Sequence, residues 1–571
     1  MNTQEQEFLN LPFRQKLEFL HGLSARQRRD LILSAPEAQR LVRSFSPETL
    51  FYTLKEIGIA DAGDLLGLAH PEQVKWLVDL DCWQRDRVDL KRMAEWIEAL
   101  AESGRQQLMD ALMELDQELV ALWLRAYVRV YRVDDPQGLG EVTSERFIHF
   151  DDHYLIELIR DDPVAAHLLE FVEEAFQRDY TYFTGLMEET YWGLEAELEE
   201  RAYALRGTRL ADRGFPDFFE AQSVFAYLNP AEFERIRATH VRPIRADVFG
   251  SNGLATPALA LTPAGDRSSF FNLALNAGFD QEAQRELRIE MALVANQVLV
   301  ARAVDLGDPE AIKETAQLTH NYLNLGLEHL AAGSLEEAVE HLRRTHLKLL
   351  FRLGLSLTVD LRTRAQAVVS ALGLEPRAGL AVPYLDSPYR EALAGFLERR
   401  PRFFCGLEGA RGSIESRDFE AVRDLHLAHR ALDQVEAIPA LFKRLLGIDV
   451  AGPSFRAGVA GRAVTLSQLL LTALARAEVD GRLEPAPLAA GQLGKVYAAV
   501  MRAGGPPARL DARFVARVEE RLGAALDCDS LSRSRQFVDS CLSLLEEDLA
   551  ELSPKALPDP RFIRSLLVRP D

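Results

Sequence analysis

Again and again along this chain, a short polar residue is followed directly by proline at the point where a helical pattern begins. Ser46-Pro47, Asp162-Pro163, Asn229-Pro230, Asp308-Pro309 and Ser387-Pro388 all read this way. Proline suits the first helical position, because the N–H it lacks would have no partner there and its ring already holds a helical φ. The polar residue before it can accept a hydrogen bond from an otherwise orphaned amide of the first turn. Capping boxes at Ser24-Ala25-Arg26-Gln27, Ser334-Leu335-Glu336-Glu337 and Thr465-Leu466-Ser467-Gln468 mark three further starts. Apolar residues then recur at the helical period, as in Leu50, Leu54 and Ile57, and again in Leu287, Met291, Val294 and Val298. Strand signals are scarce. Arg146-Phe147-Ile148-His149-Phe150 offers one short strand, and Ala255 to Thr262 is too rich in proline and alanine to offer another. The pattern predicts an all-α fold: a multi-domain α-superhelix of stacked short helices, with at most a minor strand element.

Breaks in the pattern suggest five segments. Residues 1–137 form a domain of short helices, closed by the turn Asp134-Asp135-Pro136-Gln137-Gly138, and residues 138–240 a second helical block. Residues 241–268 hold Pro243, Gly250, Gly253, Pro257, Pro263 and Gly265 with little apolar period, which predicts a loop or linker. Residues 269–450 are helical again and residues 451–571 make a C-terminal helical block, with breaks at Gly452-Pro453 and Gly504-Gly505-Pro506-Pro507.

Charge bounds the partners. Sixty-six basic against 87 acidic residues leave a formal net charge of −21. Such a chain repels phosphate, which argues against a nucleic acid partner. Cys82, Cys405, Cys528 and Cys541 are far apart and form no CxxC pair, so neither a disulfide scaffold nor a thiolate zinc site is expected. The N-terminus lacks a basic region followed by an apolar run, and the most apolar stretch, Met291 to Val304, is too short to span a bilayer. These features predict a cytoplasmic protein without membrane insertion.

The sequence carries no familiar catalytic motif. Gly491-Gln492-Leu493-Gly494-Lys495-Val496 has the wrong spacing for a phosphate loop and no hydroxyl for magnesium. No HExxH, GxSxG or GxGxxG pattern occurs in a fitting context. No cofactor is expected. The best metal-like cluster is His149, Asp151, Asp152 and His153, with Asp161 and Asp162 nearby, since imidazole and carboxylate together bind divalent ions. A solvated acidic turn explains the same residues. His426 and His429 share a helical face, and Glu18-Phe19-Leu20-His21 matches half of a di-iron element, but neither has the further ligands its chemistry requires.

Arg206, Arg209 and Arg213 fall at i, i+3, i+7, which aligns them for an anionic ligand or an acidic partner. Gly207 weakens a helix there, and pairing with the acidic run Glu195 to Glu200 would also satisfy the arginines. The basic stretch His341 to Lys348, with Arg343 and Arg344, offers either a second anion- or partner-binding face or simply a charged helix end that suits the helix dipole. Trp76, Trp83, Trp96 and Trp123 suit either a core or a protein-binding groove, with core the default at helical spacing.

Three resemblances add to this reading. Pro-Glu helix starts recur at Pro36-Glu37, Pro47-Glu48 and Pro71-Glu72, and short amphipathic helices of this kind bury their apolar faces only by stacking. Over residues 10–130 the chain resembles the helical superfamily seen in the N domain of bacterial magnesium transporters and in the flagellar motor-switch protein. That resemblance implies a right-angled stack of short helices and carries no activity with it. Residues 319–345 resemble one tetratricopeptide repeat through Tyr322, Leu325, Gly326, Gly333, Leu335, Ala338 and Leu342, although His329 stands where tyrosine is preferred and the closing proline is missing. Over its whole length the chain is similar to a large bacterial family of unassigned activity, through Arg209-Leu210-Ala211-Asp212-Arg213-Gly214-Phe215-Pro216, Asp79-Leu80-Asp81-Cys82-Trp83 and Arg400-Pro401-Arg402-Phe403-Phe404.

Together these observations predict a non-enzymatic intracellular helical scaffold or adaptor that binds another protein. The alternative is an enzyme or a ligand or divalent-ion sensor, with its site near residues 149–162 or 201–213.

Overall fold

The computed structural model describes residues 3–21, 23–134, 147–150, 152–160, 163–239, 268–373, 384–409, 415–452, 455, 464–502, 508–550 and 563–569. The expected linker 241–268 lies outside the described residues except for Ser268, and so do all but Asp134 of the turn that starts there and the break at Gly504-Gly505-Pro506-Pro507.

Helices dominate. In the first part of the chain they are α1 (Thr3–Asn10), α2 (Phe13–His21), α3 (Ala25–Ser34), α4 (Ala38–Arg43), α5 (Pro47–Ile57), α6 (Gly63–Leu66), α7 (Pro71–Asp81), α8 (Leu90–Ser103), α9 (Arg105–Glu114) and α10 (Gln117–Tyr127). Next come α11 (Pro163–Arg178), α12 (Tyr180–Trp192), α13 (Glu195–Asp212), α14 (Phe218–Gln222), α15 (Phe233–Thr239), α16 (Phe270–Gly278) and α17 (Gln281–Ala301). The remainder are α18 (Pro309–Ala331), α19 (Leu335–Arg344), α20 (Leu347–Leu372), α21 (Tyr389–Leu397), α22 (Val422–Leu446), α23 (Leu466–Val479), α24 (Leu493–Val500), α25 (Ala512–Ala525) and α26 (Cys528–Ala550). The fold is all-α.

Among the described residues the minor strand element is one small antiparallel sheet and three short ribbons. β3 (Val128–Arg132), β4 (Phe147–His149) and β5 (Tyr154–Leu158) form the sheet in the order β3-β5-β4, with Val130 opposite Ile156 and Ile148 opposite the same residue on the other side. β1 (Trp83–Gln84) pairs with β2 (Arg87–Val88), β6 (Phe403–Phe404) with β7 (Ser416–Arg417), and β8 (Leu488–Ala489) with β9 (Val568–Arg569).

The helix starts follow the capping rules. The Ser46 hydroxyl accepts from the Thr49 N–H at 3.2 Å, and Asp308 Oδ1 accepts from Glu310 and Ala311 at 3.0 and 3.2 Å. Both arms of the capping box are made at Ser24 and at Thr465. Asn229-Pro230 opens a 3₁₀ turn rather than an α-helix. At Ser387-Pro388 the helix opens one residue later, with Pro388 as its N-cap and a cis bond before it.

The chain forms two compact units. The first comprises Met1–Ala226, His240–His320 and Leu342–Lys348, and the second Tyr227–Thr239, Asn321–His341 and Leu349–Asp571. In the first, α7 packs on α5 and α9, α8 on α9, and α10 on α12 and α13. Trp96, Trp123, Phe51, Phe171 and Phe183 fill that core. In the second, α22 lies along α26 and α23 along α24, with Phe351, Phe396, Phe403 and Leu441 buried. All four cysteines are free thiols, and no described helix is long and apolar enough to cross a membrane.

Candidate functional site

Of the three arginines, Arg206 and Arg209 lie on α13, which runs through Gly207 without a break, and Arg213 is the non-helical residue that caps its C-terminus. Their partners lie on or beside helices distant in sequence rather than in the acidic run Glu195 to Glu200. Arg209 donates from Nε to Asp79 Oδ2 at 2.6 Å and from Nη2 to Asp79 Oδ1 at 2.8 Å. The same guanidinium reaches Asp116 through Nη1 at 3.1 Å and Nη2 at 2.7 Å. Arg206 donates to the Asp79 carbonyl at 2.7 Å and lies over the Trp83 ring at 5.3 Å. Arg213 stands 3.5 Å from Glu48 and lies over Trp76 at 5.0 Å. Lys75, one turn before Asp79 on α7, completes the neutralisation of Asp116 at 2.9 Å.

Burial sets the electrostatics here. It raises the pKa of Asp79, against the opposing pull of Arg209 and Arg206. It lowers that of Arg206. For Arg209 burial acts downward, but the hydrogen bonds and charges of Asp79 and Asp116 outweigh it and hold the cation above its ordinary value. A two-point guanidinium–carboxylate pair is the geometry in which such compensation is strongest. These contacts tie α7, α10 and α13 together.

A second buried knot lies two residues along α7. Asp81, fully buried, accepts from Lys55 Nζ at 3.0 and 3.1 Å, from Trp96 Nε1 at 2.9 Å and from Arg92 Nη1 at 3.3 Å. Arg92 also holds Asp305, at 2.7 and 3.1 Å. Gly307 fits against this knot because a Cβ there would lie 2.1 Å from Asp81 Oδ1. On α5, Glu48 Oε2 and the Tyr52 hydroxyl are buried without a hydrogen-bond partner among the described residues. Beside Lys55 a cleft of about 340 Å³ is lined by Ile59, Ala60, Glu95, Glu98, Ala99 and Glu102.

The metal-like cluster is only partly described. His149 closes β4 opposite Leu155, and Asp152 and His153 lie in the turn to β5, where the His153 carbonyl accepts from the Val133 N–H at 3.0 Å. Asp151, Asp161 and Asp162 lie outside the described residues. Among the described residues no group of three or more His, Cys, Asp or Glu side chains is placed to hold a metal ion. His429 is engaged by Arg364, with Nη1 3.1 Å from its Nδ1. Arg343 donates to the Gly278 carbonyl at 3.1 Å and lies over Phe279 at 5.6 Å, and Arg344 is exposed in the last turn of α19. Those two are not part of the Arg206–Arg209–Arg213 group.

The residues that sequence reasoning passed over lie at the α12–α13 turn. Trp83, Trp96 and Trp123 are core, but Trp192 is 64 % exposed and Leu194 62 %. Gly193 between them fits only as glycine: a Cβ would lie 2.5 Å from the Glu189 carbonyl oxygen and 2.9 Å from Leu198 Cδ1. The tight turn therefore projects both side chains outward, with the Tyr191 ring edge-on to Trp192 at 4.7 Å. A second pair, Phe218 and Phe219, opens α14 under the Asp217 cap, and Phe219 is 86 % exposed. The available signal was Tyr191-Trp192-Gly193-Leu194 itself, an apolar run ending where an acidic helix begins.

A family model described as a family of unknown function (DUF6178) matches residues 5–569. No curated protein and no solved structure matches the chain.

Proposed function

We propose that this chain, which belongs to the family of unknown function DUF6178, is a helical scaffold or adaptor that holds another protein on its first compact unit. The observation that carries the reading is the outward pair Trp192 and Leu194, fixed by the Gly193 turn. Leaving a leucine in water forgoes roughly 1.5–3 kcal/mol of burial. Tryptophan is among the residues that dominate binding energy at protein interfaces. Single exposed apolar residues are ordinary, but two held side by side by a turn that only glycine can make are pre-organised. Asp79 of α7 meanwhile is held by Arg206 and Arg209 of α13 in a buried contact, which suits a rigid platform.

The test compares the intact chain with a Trp192→Ser/Leu194→Ser variant as baits in native extract. The expected result is a partner whose recovery falls at least about tenfold in the variant, a loss of about 1.4 kcal/mol, at an unchanged melting temperature. Equal recovery by both baits, or no partner for either, overturns the proposal.

A further inference from the structure

The outer side of α13 continues from the Trp192–Leu194 turn. Its inner positions Leu198, Ala202, Arg206 and Leu210 are buried. Glu197, Glu200, Ala204, Gly207 and Ala211 are all exposed. These five alternate in steps of three and four, the spacing of a seam that receives another helix. Three of them are small enough to let a second backbone come close. A Cβ added at Gly207 would meet nothing within 4 Å among the described residues. An alanine would therefore fit, and glycine in mid-helix costs about 1 kcal/mol relative to it. Nothing inside the described fold requires that glycine, whereas close approach of a partner does.

Charge selects the partner. Glu195, Glu197 and Glu200 are exposed and make no ion pair among the described residues, while Arg201 is taken by Glu189 at 2.6 Å. The chain carries a net charge of −21, which opposes docking of a second copy and favours a cationic surface. We infer that the outer seam of α13, from the Trp192–Leu194 turn to Ala211, docks a basic amphipathic helix of a partner protein. This deepens the adaptor reading and rests on it: apolar side chains of the docked helix meet Trp192 and Leu194, its Lys or Arg side chains meet Glu195, Glu197 and Glu200, and its backbone crosses at Gly207.

The experiment follows Trp192 emission in the full-length protein. The probe is a synthetic amphipathic helix of Leu, Ala and Lys, about 20 residues and so ~30 Å long, with a control in which Glu replaces every Lys. The basic peptide should shift the emission to the blue and bind more weakly as salt is raised, and the acidic peptide should do neither. Gly207→Lys should weaken the basic peptide at least about tenfold at an unchanged melting temperature, whereas Gly207→Ala should retain it. No response to the basic peptide, an equal response to both peptides, or full affinity in Gly207→Lys overturns the inference. Concentration-dependent self-association without peptide, lost in Gly207→Lys, overturns it in favour of a second copy. If the peptide is silent while the Trp192→Ser/Leu194→Ser variant still loses its native partner, only the basic-helix assignment falls. If both fail, the adaptor reading falls with it.

Discussion

Gly326 and Gly354 face each other where α18 meets α20. A Cβ on Gly326 would lie 2.2 Å from the Leu350 carbonyl oxygen, and one on Gly354 2.1 Å from that of Tyr322. The blocking atoms are backbone, so neither helix can yield by turning a side chain. Gly326→Ala and Gly354→Ala should each destabilise the protein by about 1–3 kcal/mol, the usual cost of forcing extra atoms into a packed core. Gly207→Ala on the open face of α13 should do the opposite and add up to about 1 kcal/mol. Urea titrations of the three variants give the comparison. Stabilisation by either α18 or α20 variant would contradict the close approach.

Asp81 answers two cations and an indole N–H from full burial. Asp81→Asn keeps the shape but removes the charge, leaving Lys55 and Arg92 near an amide. Stripping one partner from a buried pair costs about 3–5 kcal/mol. Lys55 and Arg92 keep some contact with water, which places the expected loss at the lower end. Arg92 also retains Asp305 at 2.7 Å. A loss under about 1 kcal/mol would equate the knot with an exposed ion pair.

Glu48 gives the stability a pH dependence of unusual sign for a carboxylate. Burial holds its carboxyl above the ordinary value, and the Arg213 charge only partly opposes this. Tyr52, whose own hydroxyl burial and the charges of Glu48 and Asp81 push up, stands beside it. The folded protein thus keeps a proton on Glu48 at a pH where the unfolded chain, with a value near 4.3, has lost it. The contribution of Glu48 is most favourable below the unfolded value and declines as pH climbs through the folded one, at about 1.4 kcal/mol per pH unit between them. Relative to Glu48→Gln, the wild type should lose stability as pH rises from 4 and then level off. A difference that stays constant with pH would show that burial does not perturb this carboxyl.

What could be read from the sequence was local, and what could not was pairing across distance. The caps at Ser46, Asp308 and Thr465 involve neighbours two or three residues on, so they were legible. The i, i+3 placement of Arg206 and Arg209 on one helix was legible for the same reason, whereas the end of that helix at Asp212, one residue short of Arg213, was not. Nor were the arginines' partners: Asp79 is 130 residues from Arg209 and Asp116 is 93, and no period links them. β3 was hidden because Val128 follows Tyr127, the last residue of α10, with no turn residue between helix and strand. At Gly193 the sequence shows a glycine, but only the packed Leu198 side chain and the Glu189 carbonyl explain why it throws Trp192 outward.

Trp192 also provides a direct measure of the field around the proposed seam. The chain has five tryptophans. Trp83, Trp96 and Trp123 are buried and Trp76 is partly covered by Arg213, so Trp192 should supply most of the emission that a solute in water can quench. Glu195 and Glu197 stand exposed beside it, and the chain is strongly anionic. Relative to its quenching of a free, neutral tryptophan derivative, caesium should therefore quench Trp192 more strongly than iodide does at low ionic strength, by roughly twofold, because surface potential concentrates counter-ions. The gap should close as salt rises, since the Debye length falls from ~30 Å at 0.01 M to ~3 Å at 1 M. Trp192→Phe should remove most of the quenchable signal and the caesium preference together. Normalised iodide quenching that matched normalised caesium quenching at low salt would mean that the glutamates are neutralised in solution, and a cationic helix would then have no electrostatic reason to choose this face.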